Sequence, residues 1–223
     1  MAAGRRAEIS APYTPGLVSD LPFKLAPRLA VRLAAALDVE GKILRGLEAL
    51  GPVAGRDVLL VDARGSAVAA GLDELGARVV HAAPSEPFSV PQPDASVDAV
   101  VSLWSGFRGV DQADMREVDR VLRPGGRLLV VHDYGRDDVA RLAPDRPEYG
   151  AWTMRGGPFL SAGFRVRVLH CFWTFDTLEA ATSFLRAAFR ATGPAVAATL
   201  KRPRLSYNVA IYHRTRAGES PSG

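Results

Sequence analysis

The run from Asp57 to His81 constrains this chain more than any other part of it. Asp57-Val58-Leu59-Leu60-Val61-Asp62 is a short apolar block with an acidic end, and Ala77-Arg78-Val79-Val80-His81 is a second. Between them lie the turn Ala63-Arg64-Gly65-Ser66 and then Val68, Leu72 and Leu75 at helical spacing, closed by Gly76. Strand, turn, helix and strand in that order make a βαβ unit, whose right-handed crossover places the two strands parallel. A parallel sheet needs helices on both faces, so the rest of the chain has to supply them.

It does so in alternation. Leu29, Leu33 and Leu37, then Ile43, Leu47 and Leu50, recur at helical spacing with a break near Asp38 and a stop at Gly51-Pro52, which predicts two helices ahead of the sheet. Asp98 to Leu103 reads as a buried strand. A helix follows, capped by Asp111, with Met115, Val118 and Leu122 on one face. Arg123-Pro124-Gly125-Gly126 ends it and turns the chain into the strand Arg127 to His132. Gly163 to His170 alternates apolar and basic side chains, as a strand near the sheet edge does. Thr177 to Arg190 is helical, with Thr177 as its cap, and Leu205 to Tyr212 is a last strand. The expected fold is a three-layer α/β sandwich with a mainly parallel, Rossmann-like sheet. The expected organisation is a loose arm over residues 1–20 and one domain over 21–214, with helices in 21–52, the sheet core in 57–214 and a disordered tail over 215–223.

Four segments in this order resemble small class I S-adenosylmethionine-dependent methyltransferases. Val58 to His81 resembles the family's first βαβ unit, and Pro91 to Val101 (PQPDASVDAVV) is similar to its "LPFPDxSFDxV" segment. Val121 to Val130 (VLRPGGRLLV) resembles its "LRPGGxLL" turn, and Ala162 to Val166 (AGFRV) its entry to the penultimate strand. The resemblance implies S-adenosylmethionine as cofactor and a cleft beyond the carboxyl ends of the strands. It also implies a glycine-rich first turn, an acid at the end of the second strand to accept the ribose hydroxyls, and a further strand carrying an adenine contact. Here the first turn holds Asp62 and Gly65, with Arg64 in a glycine slot, and the ribose position is Ala83. Glu86 either reaches back to the ribose from its loop or is solvated there. Ala82 to Ala95 carries four prolines, at 84, 87, 91 and 93, so the third strand and its helix are expected to be absent.

Candidate chemistry lies at the other strand ends. Trp104 either turns an aromatic face to the sulfonium or packs under a loop. His132, Asp133 and Tyr134 either present a base to a methyl acceptor or cap a helix at Arg136. The cofactor-binding set is thus Asp62, Gly65, Glu86 and Trp104, the catalytic set His132, Asp133 and Tyr134, and no metal site is expected. His170-Cys171 shows no orienting third group, so Cys171 reads as a buried thiol.

Net charge is +4 and the sequence pI about 9.6, with Lys24, Lys42 and Lys201 the only lysines among many arginines. The arginines are scattered along the chain and the one tight group, Lys201, Arg202 and Arg204, is short, so no nucleic-acid partner is expected. One cysteine forms no internal disulfide, no secretory pattern opens the chain and no stretch reaches the ~20 apolar residues of a membrane span. The expectation is a cytoplasmic protein whose partner is a small-molecule methyl acceptor. The competing expectation is a methyltransferase-fold protein without catalysis, serving a protein partner.

Overall fold

The computed structural model describes residues 21–61, 67–85, 87–149, 152 and 154–217. The arm over 1–20, the turn residues Asp62, Ala63, Arg64, Gly65 and Ser66, the loop residue Glu86 and the tail from 218 lie outside the described residues.

Helices α1 (Pro27–Ala36) and α2 (Lys42–Leu50) precede the sheet. Between them Asp38 takes a positive φ of 50° and its Oδ2 accepts the Ile43 N–H at 2.7 Å, which holds the break. Strand β1 (Asp57–Val61), helix α3 (Ala67–Glu74) and strand β2 (Arg78–Ala82) form the βαβ unit, with Val58 level with Val79 in a parallel pair. Then follow β3 (Val97–Leu103), α4 (Gln112–Val121), β4 (Leu122–Asp133), the one-turn α5 (Pro158–Ser161), β5 (Arg165–Thr174), α6 (Leu178–Ala188), α7 (Gly193–Thr199) and β6 (Arg204–Thr215). The six strands are ordered β2-β1-β3-β4-β6-β5, and β6 alone runs against the others. Strand order therefore reverses between β1 and β3. From Ala83 to Ser96 the described residues form neither helix nor strand, so β2 is the sheet edge on that side, as the prolines require.

The pleat sorts the strand residues between two cores. Val58, Leu60, Ala99, Val101, Leu129 and Val131 face α1, α2, α6 and α7, whereas Leu59, Val61, Val100, Leu128 and Val130 face α4 and α5. Both faces of each central strand are buried, which is why these strands read as unbroken apolar runs.

Four elements depart from the expectation. Strand β4 starts at Leu122, because Leu122 pairs with Val97 before the turn and Arg127 with Ala99 after it. The four turn residues bulge out opposite Asp98. Strands β5 and β6 run longer than their alternation suggests, since they pair from Arg165 with His213 to Thr174 with Arg204. Helix α7 has no sequence signal beyond Thr192-Gly193-Pro194, as its Ala-rich turn carries no broad apolar stripe.

The Pro124-Gly125-Gly126 turn sits at the amino-terminal ends of the strands. Gly125 has φ +79°, and a Cβ on Gly126 would stand 2.8 Å from the Arg123 carbonyl oxygen and 3.0 Å from that of Asp98. Backbone cannot give way as a side chain does. Gly126→Ala is expected to destabilise the protein by about 1–3 kcal/mol, read as a lower urea midpoint. Arg123 ties the same end together, reaching Asp57 and Asp98 at 2.9 Å each.

Candidate functional site

At the opposite end of the sheet, where strand order reverses, a cleft of about 560 Å³ opens between the loops after β2 and β3. Val61 forms its floor, Pro84, Ser85, Pro87 and Phe88 one wall, and Ser105 to Gly109 with Asp111 and Asp114 the other. The volume lies within the range of small-molecule sites, and a switch point is where open α/β sheets bind ligands.

The loop after β3 is strained. Trp104, Phe107 and Val110 all have positive φ, at 55°, 60° and 52°. Left-handed backbone costs a bulky residue about 1–2 kcal/mol, so several bonds have to hold it. The Ser105 hydroxyl donates to the Val61 carbonyl at 2.7 Å, the Gly106 N–H donates to Ser102 Oγ at 3.1 Å, and the Trp104 N–H donates to the Val131 carbonyl at 2.8 Å. Arg108 reaches the Trp104 carbonyl at 3.2 Å and also pairs with Glu148, which is 2% exposed.

His132 and Asp133 lie beneath this loop rather than in the cleft, which corrects the expectation that they face it. His132 is fully buried against Trp152, with ring centroids 5.0 Å apart, and its Nε2 is 3.1 Å from the Gly106 carbonyl oxygen. Burial, reinforced by the nearby Arg108, pushes its pKa down to about 3. A neutral imidazole bonded to a carbonyl carries its proton on Nε2, so Nδ1 is a bare acceptor, and among the described residues no partner meets it. His132 positions Gly106 and does not meet an acceptor's proton in the cleft. Asp133 is 1% exposed, and burial raises its pKa to about 6 against the pull of Arg146 and the Tyr207 hydroxyl. It accepts the Trp104 indole N–H at 3.0 Å, and it also binds Tyr207 and Arg146.

Trp104 is corrected too. Its ring is 5% exposed, its N–H is spent on Asp133, and it packs in the α1/α2-side core away from the cleft wall. Tyr134 is half-buried, with Arg136 5.9 Å from its ring centre. Nor does this trio cap a helix at Arg136, since Asp137 accepts the Ala140 N–H at 2.7 Å and starts a short 3-10 turn instead. Asp62, Gly65 and Glu86 lie outside the described residues. Cys171 is buried and free, and burial raises its thiol pKa. Sequence reasoning missed Arg108, Arg146, Glu148 and Tyr207. The signal for Arg108, Arg146 and Glu148 is charge inside an aperiodic stretch, whereas Tyr207, uncharged and inside a strand, gives none.

His132 and Asp133 pull stability in opposite directions with pH. The unfolded imidazole binds a proton that the folded one refuses between about pH 3 and 6.5, so its contribution rises with pH through that window. The folded Asp133 carboxyl holds a proton that the unfolded one has lost between about 3.8 and 6, so its contribution falls there. His132→Gln leaves the second effect alone. Between pH 5 and 7 the variant is expected to lose roughly 2 kcal/mol relative to the parent, measured by urea unfolding at both values; parallel pH profiles would refute this.

Residues 38–130 match the family described as "Methyltransferase domain". No curated protein matches the chain. Among solved structures, a putative type II methyltransferase from Anaeromyxobacter dehalogenans is similar at 21% identity, covering 80% of this chain and 97% of that one, with a TM-score of 0.49. A putative methyltransferase from an antibiotic biosynthesis pathway of Anabaena variabilis shares 13% identity over 80% and 98% of the two chains at 0.47. A SAM-dependent methyltransferase from Aquifex aeolicus shares 16% over 79% and 93% at 0.43. A methyltransferase domain implies S-adenosylmethionine as its ligand. With that match over residues 38–130 and a six-stranded, mostly parallel sheet, the chain carries a methyltransferase-like domain on a Rossmann-like class I fold.

Proposed function

We propose that this chain keeps the methyltransferase fold and cleft but has lost tight cofactor binding, and that it serves as a binding protein rather than a transferase. The observation that carries this reading is the commitment of the polar groups around the cleft. Of the two carboxylates among the described lining residues, Asp114 accepts the Phe88 N–H at 2.8 Å and Asp111 caps α4 through the Ala113 N–H at 2.7 Å. Strand β2 runs out into Ala83, which has no oxygens for a ribose. The described residues therefore do not fit the adenosyl group well.

A second reading, an active small-molecule methyltransferase, is favoured by the size and place of the cleft. Methyl transfer draws much of its acceleration from proximity and asks little of side chains, so the lack of a base in the cleft does not by itself remove it. Calorimetric titration with S-adenosylmethionine and S-adenosylhomocysteine separates the two. Among the described residues no helix is long and apolar enough to cross a membrane.

A further inference from the structure

Arginines and lysines that are far apart in sequence meet at the β5 edge of the sheet. One groove there, of about 480 Å³, is lined by Lys42, Arg45, Arg167 and His170. A second, of about 350 Å³, is lined by Arg141, Lys201, Arg202 and Arg204 beside Thr199 and Ser206. Phe172 lines the second groove and touches cations of both. Lys42 lies 5.2 Å from its ring centre and Arg204 4.3 Å. The Glu40 carboxyl reports the same convergence. Its pKa is held below the usual range first by the bond from Lys42, with the charges of Arg204 and Arg45 adding.

The charge there is not balanced. Seven cationic side chains line the grooves, and among the lining residues the one carboxylate is Asp138. Asp138 is already engaged, accepting Ser206 Oγ at 2.7 Å and the Ser206 N–H at 2.9 Å, with Arg141 4.0 Å away. Glu40 is taken by Lys42 at 2.5 Å. Like charges this dense repel one another unless an anion is present.

We propose that this edge binds the phosphodiester backbone of a nucleic acid. Five of the seven cations are arginines, whose forked donors suit phosphate oxygens. The same chemistry recurs on both sides of Phe172, as a ligand with one charge per repeating unit requires. The grooves are concave, and none of the exposed large apolar side chains (Val31, Val39, Leu75, Val80, Met154, Leu178) lines either of them, which a bilayer-inserting surface would need. The inference stands apart from the cofactor reading, since neither groove touches the cleft.

The test uses the full chain and a fluorescein-labelled single-stranded RNA of mixed sequence, roughly 16 nucleotides long. Anisotropy titrations at several salt concentrations are expected to show affinity falling steeply with salt. Lys201→Gln/Arg202→Gln removes two exposed cations from one groove and should lower the slope of log affinity against log salt by about 1.4, and Arg167→Gln in the other groove by about 0.7. Unchanged urea midpoints establish that the variants are folded. Absence of binding at low salt, or an unaltered slope in either variant, would overturn the proposal. So would phosphatidylserine vesicles or poly-glutamate displacing the RNA at equal charge concentration, which would assign the edge to a membrane or to an acidic protein.

Discussion

Calorimetric titration with S-adenosylmethionine is expected to give no saturable heat up to about 1 mM, and S-adenosylhomocysteine no rise in melting temperature over the same range. The ribose acid is replaced by Ala83, and the strand that would bring an adenine contact does not exist between Ala82 and Val97 among the described residues. Charge-assisted bonds of this kind are worth about 1.5–3 kcal/mol each. Losing two removes about 3–6 kcal/mol, or a hundred- to ten-thousand-fold in affinity, and takes a micromolar site to the millimolar range or beyond. Among the described residues the nearby carboxylates are Asp111 and Asp114, and each already holds a backbone N–H group. Arg64→Gly, which restores a glycine to the first turn, is expected to leave affinity unchanged because it returns neither contact. A micromolar isotherm for the parent would sink this reading and reinstate the transferase. One appearing only in the Arg64 variant would put the whole defect in that side chain.

Removing Arg146 is expected to be strongly destabilising. Its guanidinium pairs with Asp133, donates to the Pro22 carbonyl and lies 4.1 Å from the Phe23 ring centre. Phe23 in turn packs edge-on against Trp173, with centroids 5.6 Å apart. Breaking a buried ion pair from one side typically costs about 3–5 kcal/mol, because the abandoned charge stays in a low-dielectric site. In Arg146→Met, Asp133 escapes part of that cost by taking up a proton. Its pKa is already raised to about 6 and rises further when the cation goes. The urea midpoint of the variant should therefore lie closer to the parent at pH 5 than at pH 8. Pairing the change with Asp133→Asn should recover part of the loss, because no charge is then left behind and the amide oxygen can still accept from Trp104 and Tyr207. A single variant within about 1 kcal/mol of the parent at pH 8 would show that the pair contributes little.

The order of the elements was legible in the sequence because periodicity and turn chemistry are local. Val58 to Val61, Ala99 to Val101 and Leu128 to Val131 are apolar on both faces, as expected of a strand inside a parallel sheet. Four prolines between Ala82 and Ala95 exclude a further strand without reference to anything distant. Gly125 and Gly126 mark their turn for the same reason, and the missing ribose acid is visible as a plain alanine.

What the tertiary structure alone decided is where polar side chains end up, since a hydrogen bond or a charge pair forms across space without regard to sequence distance. His132 and Asp133 look like catalytic groups at a strand end until Gly106, Tyr207 and Arg146 are brought to them and burial neutralises the one and engages the other. Trp104 looks available to a cation until its indole N–H finds Asp133. The arginines argued against a nucleic-acid partner by their scatter, yet the packing of α2 on β5, and of β6 beside it, gathers Lys42, Arg45, Arg167 and Arg204 along one edge. Burial is a property of the assembled layers, and it determines which of these groups keep their charge and which can still meet a ligand.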